Sequence, residues 1–374
     1  MRDTATDPTP LVCPACGAEY ADRWRCTCGH PLAFAHQPLP AEPAPDPAAF
    51  DSRDGLWSFD EFLPVEKRVS LGEGMTPLQP APEWDAEFKL EYVFPTGSFK
   101  DRGATATVSR ALELGVERVV DDSSGNAGAA IATYAARAGI DAEIYVPAGV
   151  KESKLRAIEA AGARPVRVEG TRQDVTDACV DALAPDEGDA TGEERAGAWY
   201  ASHAWNPAFF AGTATFAYET ALQRDWAVPD AIVSPLGHGT LFLGAYRGFR
   251  TLKEAGWTDS VPRMFGAQAA GYDAIAAELH GPAEGSNDVA DGIQIREPVR
   301  KEAILDAIHA TNGDAIALPE EAVAEELDRL HSDGFYTEPT CAVAPAALRA
   351  YRERGVLHED DDVVVPLTGS GLKT

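Results

Sequence analysis

The sequence of 374 residues predicts an α/β protein with mainly parallel sheets flanked by helices, preceded by a small cysteine-rich module. Apolar segments of strand length alternate with helical segments, which is the pattern of parallel α/β folds. Several of the apolar segments end in Gly, Ser, Thr or Asn. Ligands in such folds bind beyond the carboxyl ends of the strands, so these small polar residues are candidate ligand contacts. The cysteine-rich module follows from four cysteines that lie within sixteen residues near the N-terminus.

That cysteine cluster pairs a Cys-x-x-Cys motif, Cys13 and Cys16, with a Cys-x-Cys motif, Cys26 and Cys28. Four thiolates at this spacing are suited to tetrahedral zinc, and a complete set leaves no open position for a substrate. We therefore predict a structural Zn²⁺ in a zinc ribbon over residues 1–35. Four free, reduced thiols are the alternative. Residues 36–50 are rich in Pro and Ala and predict a semi-rigid linker.

The body of the chain follows the linker, and its strand–helix units succeed one another without an internal repeat. A stretch near 170–200 predicts one short helix and then an acidic loop. We predict a large α/β domain from 51–90 and 206–374, and a smaller one from 91–205 that carries Lys100 and Asn126. The segments that predict alternating strands and helices are 117–149, 151–170, 230–252, 262–271 and 361–371.

The composition excludes some classes of partner. The formal net charge is −28, spread along the chain, so a nucleic-acid partner is not expected. No apolar run approaches a membrane span, and the first ten residues lack the apolar centre of a signal peptide. We therefore expect a soluble cytoplasmic protein. Only 8 of the 32 basic residues are lysine, and an acidic, lysine-poor surface suggests a salt-loving (halophilic) cytoplasm.

Three turns and one lysine carry the predicted chemistry. Gly237–Thr240 is a Gly-x-Gly-Thr turn that opens a helix, and Ser123–Gly128 is a second Gly-containing turn. Both offer backbone N–H groups to an anion, although such glycines also occur for steric reasons alone. Thr368 contributes a hydroxyl, and Lys100 an amine that can react with an aldehyde. A phosphate cradle, an amide, a hydroxyl and a reactive lysine together predict a pocket for pyridoxal 5′-phosphate.

The residues that form these motifs resemble the fold-type-II pyridoxal-phosphate enzymes, and most of all the threonine synthase family. The resemblance implies a two-domain fold of the tryptophan synthase β type and, for the assembly, a homodimer. A cysteine ribbon also occurs in some members of the family. The resemblance covers about residues 65–374 and rests on six motifs in the family's order: LGEGMTPL (71–78), PTGSFKDRG (95–103), SSGNAGAA (123–130), PLGHGT (235–240), EPTCAVA (338–344) and LTGSGLK (367–373).

The resemblance also implies roles for individual residues. Lys100 would hold the cofactor covalently and then act as the acid/base of the reaction. Asn126 would bind the phenolic oxygen of the cofactor, and Thr368 its ring nitrogen. The cofactor phosphate would be bound by Gly237, His238, Gly239 and Thr240. The amino-acid substrate would be bound by Ser123, Ser124, Ala127 and Asn206.

The family's reaction converts O-phospho-L-homoserine and water to L-threonine and phosphate, a step in amino-acid biosynthesis. Phe209 and Ala214 stand where many members have an Arg and a Lys for the substrate phosphate, and Phe94 replaces an Asn. An apolar side chain cannot replace a cation opposite a phosphate dianion. Another pyridoxal-phosphate lyase or dehydratase, acting on serine, threonine or a related amino acid, is therefore the alternative. A non-catalytic binding protein is a third, less favoured because Lys100 is present.

Four further basic residues could supply charge for the phosphate, namely Arg102, Lys151, Lys154 and Arg156. The last three fall on one predicted helix, where a solvated face is the simpler interpretation. Near the predicted pocket, Cys341 is expected to be a buried structural thiol. Glu338 is expected to cap a helix.

Overall fold

The computed structural model describes residues 8–183 and 197–373, so most of the predicted acidic loop lies outside the described residues. The described chain divides into two compact units. The smaller unit comprises the described residues of Met1–Pro38, Asp60–Leu71 and Lys100–Gly212. The larger unit comprises those of Leu39–Phe59, Gly72–Phe99 and Thr213–Thr374.

Thirteen strands occur in the described residues: β1 (Leu11–Val12), β2 (Glu19–Tyr20), β3 (Ala33–Phe34), β4 (Leu78–Ala81), β5 (Ala86–Lys89), β6 (Arg118–Asp121), β7 (Asp141–Pro147), β8 (Arg164–Val168), β9 (Trp199–Tyr200), β10 (Ala231–Pro235), β11 (Arg263–Ala269), β12 (Asp314–Leu318) and β13 (Val363–Pro366). The α-helices there are α1 (Lys100–Glu113), α2 (Asn126–Ala138), α3 (Glu152–Ala160), α4 (Arg172–Val180), α5 (Pro207–Gln223), α6 (Thr240–Glu254), α7 (Ala276–His280), α8 (Lys301–Ala310), α9 (Glu320–Ser332) and α10 (Pro339–Glu353). None of these helices is both long and apolar enough to cross a membrane.

The larger unit is built on a six-stranded sheet in the order β12-β11-β10-β13-β5-β4. All neighbouring pairs are parallel except β4 and β5, which are antiparallel. Strands β10 and β13 consist of buried residues throughout, as expected for a parallel sheet that is covered on both faces. The segments that follow β10 and β13 therefore leave the sheet at the same edge, which brings two of the predicted ligand-binding turns to that edge.

The smaller unit contains a four-stranded parallel sheet in the order β8-β7-β6-β9. Helix α2 is rich in alanine, and its buried face packs against α1 and β7. The same unit includes a separate antiparallel sheet, β2-β1-β3, in the N-terminal region. Its small core includes Leu11, Leu32 and two of the clustered cysteines, Cys13 and Cys26. The prediction of an α/β protein with mainly parallel sheets is confirmed.

The Pro/Ala-rich segment after the cysteine module lies along the larger unit. The indole N–H of Trp226 donates to the Pro45 carbonyl at 2.8 Å. The indole N–H of Trp257 likewise donates to the Glu42 carbonyl at 3.0 Å. Phe50 stacks on Phe59 with ring centroids 4.9 Å apart. Because proline cannot form a regular hydrogen-bonding ladder, side-chain donors from the folded unit bind this segment instead.

A buried ion pair ties strand β5 to helix α5 within the larger unit. Lys89 Nζ lies 3.0 Å from Glu219 Oε2, and both side chains are fully buried. The amine also donates to the Thr76 carbonyl at 2.6 Å and to the Gln223 side chain at 2.8 Å. The Thr76 N–H donates to the same Glu219 oxygen at 3.2 Å. Such a pair is stable because hydrogen bonds replace most of the lost hydration of each charge.

We predict that Glu219→Gln lowers the free energy of unfolding by about 3 kcal/mol, because the buried Lys89 ammonium would lose its counter-ion. Urea titration at high salt measures this change. The matched control is Asp51→Asn, which breaks the exposed pair of Asp51 with Arg53 and should leave the midpoint unchanged. Equal midpoints for Glu219→Gln and the wild type would refute the assignment.

Candidate active site

Lys100 begins helix α1 directly after a short segment that pairs with the C-terminal region of the larger unit. The Phe99 N–H donates to the Thr368 carbonyl at 3.0 Å, and Ser98 forms a β-bridge with Gly369. A turn at Gly97, where φ is +75°, leads the chain into this pairing. A Cβ at this position would lie 3.0 Å from the Lys373 side chain, so glycine also fits for steric reasons. Phe99, the residue before Lys100, is thereby held against Thr368 within the larger unit.

Within the smaller unit, Lys100 lies near the aromatic ring of Phe209, one of the residues that replace the expected phosphate-binding cations. The Lys100 amine lies 5.8 Å from the ring centroid. Phe209 is fully buried, and its ring lies against the α1 backbone, where a Cβ on Gly103 would be 2.2 Å from the ring. One of the positions at which the sequence departs from the threonine synthase motif is therefore close to the predicted catalytic lysine.

Small residues allow helix α5 to approach α1 this closely. A Cβ on Gly212 would lie 1.9 Å from the Arg102 carbonyl oxygen, which no side chain could tolerate. Gly103 on the other helix plays the same role opposite Phe209. The spacing of Phe209 and Gly212 on α5 matches that of two residues on one helix face. Together these contacts fix the Phe209 ring relative to Lys100.

The turn after strand β6 leads directly into helix α2. Gly125 is the N-cap and makes no side-chain capping bond, and the backbone N–H groups of the first helical turn are directed towards the turn. The Gly125 N–H itself donates to Ser123 Oγ at 3.3 Å. A Cβ on Gly128 would lie 1.9 Å from the Ser123 carbonyl oxygen, so the turn requires glycine there. This arrangement can bind a carboxylate through N–H groups and hydroxyls.

Two consecutive carboxyl groups precede this turn and differ in their surroundings. Asp122 accepts hydrogen bonds from the Tyr200 hydroxyl at 3.0 Å, the Thr176 hydroxyl at 2.7 Å and the Arg172 guanidinium at 3.0 Å. Asp121 is fully buried, and only its Oδ2 is bonded, by the Ser123 N–H at 3.1 Å. Its Oδ1 has no partner among the described residues. Burial and the neighbouring Asp122 raise the pKa of Asp121 to about 8.

Asp121 is not among the site residues predicted from the sequence. The signal that could have found it is a pair of acidic residues at the end of an apolar strand, directly before a Ser-Ser-Gly-Asn turn. Parallel strands of this kind are buried, so at least one of the two carboxyl groups has to be desolvated.

In the larger unit, the turn after β10 forms a backbone cradle at the start of α6. Gly239 is the N-cap with φ +76° and no side-chain cap. A Cβ there would lie 2.6 Å from the Ile304 side chain, and a Cβ on Gly237 would lie 3.2 Å from Ile293 Cα. The positive φ and the close contact at Gly239 favour glycine there, and the N-terminal end of helix α6, with its positive dipole, begins at the cradle. Such donors suit a phosphate dianion.

Thr368 follows the neighbouring strand β13 and lies beside Cys341. The two side chains are 3.4 Å apart, and Cys341 Sγ accepts a hydrogen bond from the Gly369 N–H at 2.9 Å. Burial and the nearby Glu338 carboxylate raise the pKa of Cys341 to about 12, so the thiol stays protonated. Glu338 stands at the N-cap position of α10, but its side chain makes no capping bond, and the expected cap is wrong. Its carboxylate instead lies over Gly369, where a Cβ would be 2.3 Å from it.

The other residues that the sequence analysis related to the substrate are mostly buried. Asn206 in the smaller unit is buried, and its Oδ1 accepts a hydrogen bond from the Ala208 N–H at 2.9 Å, which caps the start of α5. Ala214 and Phe94 are buried in the larger unit. Of the four alternative cations, Arg102 is buried, Lys154 is half-buried, and Lys151 and Arg156 are exposed. The exposed pair fits a solvated helix face.

The donor set fits pyridoxal phosphate, because each polar part of that molecule has a chemically matching group. The Gly237–Thr240 cradle provides backbone N–H groups for a phosphate, Thr368 a hydroxyl, and Asn126, at the first position of α2, an amide. Lys100 provides the amine for the aldehyde.

The four clustered cysteines fit a tetrahedral metal ion. Their Sγ atoms all lie within 4.8 Å of one another. Two of the separations are 3.6 Å, between Cys13 and Cys28, and 3.5 Å, between Cys16 and Cys26. Sulfur atoms about 2.3 Å from a central ion at tetrahedral angles lie at roughly this separation. The cluster is the one group of at least three metal-ligating side chains found in residues 8–183 and 197–373.

We predict that Asp121→Asn stabilises the protein increasingly as the pH rises from about 4 to 8, by several kcal/mol at pH 8. In this window the folded state keeps the Asp121 proton and the unfolded state releases it, so wild-type stability falls with pH. Urea titrations of both proteins across this range measure the difference. The control Asp174→Asn removes an exposed carboxyl whose pKa is lowered by Thr171, and it should give a constant offset above pH 5. A constant offset for Asp121→Asn as well would contradict the prediction.

Comparisons with known proteins identify the family of the chain. Residues 69–369 match the family model for pyridoxal-phosphate dependent enzymes. The chain is 32% identical to a threonine synthase from Methanocaldococcus jannaschii over 96% of this chain and 92% of the relative. It is 35% identical to a threonine synthase from Methanosarcina acetivorans over 85% and 80% of the two chains.

Solved structures with the same fold include that of maize serine racemase. Its TM-score is 0.65 at 21% identity, and the comparison covers 79% of this chain and 88% of the racemase. This likeness shows a fold-type-II architecture. The cofactor-type donors and the similarity over nearly the whole length lead to one conclusion: the chain belongs to the pyridoxal-phosphate-dependent enzymes and, within them, to the threonine synthase family.

Proposed function

We propose that this protein is a threonine synthase, a pyridoxal-phosphate-dependent lyase that converts O-phospho-L-homoserine and water to L-threonine and phosphate. The observation that carries the proposal is the placement of Lys100 at the start of α1, one residue after the hydrogen bond to Thr368. The threonine synthases that are 30–35% identical over most of the chain support the choice of reaction.

We assign the cofactor contacts residue by residue, from the match of each motif to the family. We assign the covalent anchor to Lys100 and the contact with the phenolic oxygen to Asn126, both in the smaller unit. In the larger unit we assign the phosphate to Gly237–Thr240, including His238, and the ring nitrogen to Thr368. A hydroxyl at the ring nitrogen does not hold a proton on the pyridine as a carboxylate would. That suits elimination and replacement chemistry.

The reaction requires protons to move at three carbon atoms of the substrate. When bound, pyridoxal phosphate supplies an electron sink for carbanions. The Lys100 amine removes the proton at Cα and transfers protons at Cβ and Cγ as phosphate leaves and water adds. The Phe209 ring excludes water from one side of the amine, which limits unproductive proton exchange. The N–H groups and hydroxyls of Ser123, Ser124 and Ala127 hold the substrate carboxylate.

The proposed reaction requires a binding site for the phosphate group of the substrate. Phe209 lies beside Lys100 and cannot neutralise a dianion, and Ala214 is equally apolar. The phosphate contact therefore has to come from cations at other positions. Serine and threonine, the substrates of the alternative lyase activity, carry no phosphate, so a direct comparison of substrates tests this point.

We further propose a structural Zn²⁺ at Cys13, Cys16, Cys26 and Cys28, and a cytoplasmic homodimer adapted to high salt. The separations of the four Sγ atoms support the zinc site. The net charge of −28 and the scarcity of lysine support the adaptation to salt.

The first test is spectroscopic and catalytic, on protein purified in high salt. The wild type should show the visible absorbance of a lysine-bound cofactor, and Lys100→Ala should lose both this absorbance and at least about 10³-fold of the activity. The control Lys253→Ala changes an exposed lysine on α6 and should retain both. Phosphate and threonine should form from O-phospho-L-homoserine. Ammonia and a keto acid from serine or threonine, without phosphate release, would favour the alternative lyase.

The second test concerns the metal. Metal analysis should find about one zinc ion per chain, and Cys13→Ser should lose it, because three thiolates bind zinc less tightly than four. Cys179→Ser is the matched control, since Cys179 is equally buried but lies outside the cluster. Titration of all six thiols in native protein without a chelator would count against the site.

A further inference from the structure

Trp24 of the N-terminal ribbon, whose described residues are 8–35, makes an aromatic contact with the rest of the smaller unit. The Trp24 ring meets the Trp205 and Tyr200 rings edge-on, with centroids 5.1 Å and 5.5 Å away and interplanar angles of 79° and 80°. The Arg25 guanidinium lies 4.3 Å from the centroid of the Trp24 ring. Edge-on aromatic contacts and a cation over the ring are both favourable and directional, so the indole is held in one orientation.

Tyr200 connects this aromatic contact to the turn assigned to the substrate carboxylate. Its ring is buried, and its hydroxyl donates to Asp122 Oδ1 at 3.0 Å. Burial raises the pKa of Tyr200 well above its usual value, so the hydroxyl keeps the proton that it donates. Asp122 directly precedes Ser123, and its other oxygen is held by Arg172 and Thr176. The backbone that enters the turn is therefore fixed on both sides of the Asp122 carboxylate.

Trp205 makes a similar connection to the other predicted substrate residue. It directly precedes Asn206, whose side chain caps helix α5, the helix that carries Phe209. Asn206 also lines a small cavity beneath the ribbon, together with Trp24 and Arg110. The two neighbours of Trp24 thus lie next to two separate segments to which substrate contacts are assigned.

We propose that Trp24 is a positioning residue for the amino-acid substrate: it holds Tyr200, and through the Tyr200–Asp122 hydrogen bond it fixes the Ser123–Gly128 turn that binds the substrate carboxylate. The ribbon is then part of the substrate-binding apparatus, although it carries no group that contacts the substrate. A turn that is fixed before binding loses less conformational entropy when the carboxylate binds. This inference rests on the proposed function for the role of the turn.

Other contacts of the ribbon offer controls, because they do not pass through Tyr200. The Trp199 indole N–H donates to Asp22 Oδ2 at 2.8 Å. Arg110 of α1 donates to the Thr9 and Ala21 carbonyls at 2.9 Å and 3.3 Å. Loss of the Trp199 bond should loosen the attachment of the ribbon but leave the Tyr200–Asp122 bond intact.

The first experiment compares Trp24→Ala, Trp24→Phe and Trp199→Phe as full-length, zinc-loaded proteins. Amide hydrogen exchange of a peptide over residues 122–128 should become about tenfold faster in Trp24→Ala, and stay within about twofold of wild type in the other two. This measurement needs no substrate, so it tests the positioning even if the proposed reaction is wrong. Unchanged exchange in Trp24→Ala, or an equal increase in Trp199→Phe, would overturn the proposal.

The second experiment is a double-mutant cycle on the KM for O-phospho-L-homoserine. Trp24→Ala should raise KM about tenfold, with kcat and visible absorbance retained, because the turn binds the carboxylate and does not react. In a Tyr200→Phe background, which lacks only the hydroxyl, Trp24→Ala should raise KM less than about twofold. Full additivity of the two changes would refute the path through Tyr200.

The two experiments distinguish failure of the proposed function from failure of the positioning role of Trp24. A wild type that does not turn over O-phospho-L-homoserine would refute the proposed function, and the cycle is then measured with whichever amino acid changes the visible absorbance. A wild type that is active, with Trp24→Ala showing a lower kcat at unchanged KM, would refute the positioning role alone.

Discussion

The hydrogen bond from the Phe99 N–H to the Thr368 carbonyl is the constraint on which the candidate active site depends. It fixes Phe99, the residue before Lys100, against the segment that follows β13. The β-bridge between Ser98 and Gly369 adds a second attachment. An interstrand hydrogen bond leaves little conformational freedom to the next residue, so it also restricts the main chain at Lys100.

Close approach of α5 to α1 determines what surrounds that amine. Gly103 and Gly212 have no side chains at the crossing, which allows the Phe209 ring to lie against α1 and near Lys100. A cation in place of Phe209 would need hydration or a counter-ion that this packing does not leave room for. The apolar surroundings that Phe209 gives to Lys100 therefore depend on the close packing of α1 and α5 as well as on Phe209 itself. Because the surroundings of the Lys100 amine are apolar at Phe209, we assign recognition of the substrate phosphate to other parts of the chain.

Two adjacent carboxyl groups illustrate how environment, more than residue type, sets charge. Asp122 is bonded to a guanidinium and two hydroxyls, whereas Asp121 is buried with one oxygen unpaired. Desolvation and the charge of Asp122 disfavour ionisation of Asp121. The turn that follows thus meets less negative charge than the sequence Asp-Asp suggests, which favours an anionic substrate group. The ribbon contributes to this arrangement through Trp24 and Tyr200.

The sequence by itself determined the fold class, the cysteine cluster and the family. Strand–helix alternation, ligand spacing and six ordered motifs are local features that need no knowledge of distant contacts. It also indicated Phe209 as a departure from the family's motif, but not its distance from Lys100. Only the tertiary structure decided that Asp121 is desolvated, that Glu338 lies over Gly369 and makes no cap, and that Trp24 contacts Tyr200. These depend on residues far apart in the chain, whose proximity is set by sheet order and helix packing and not by local propensity.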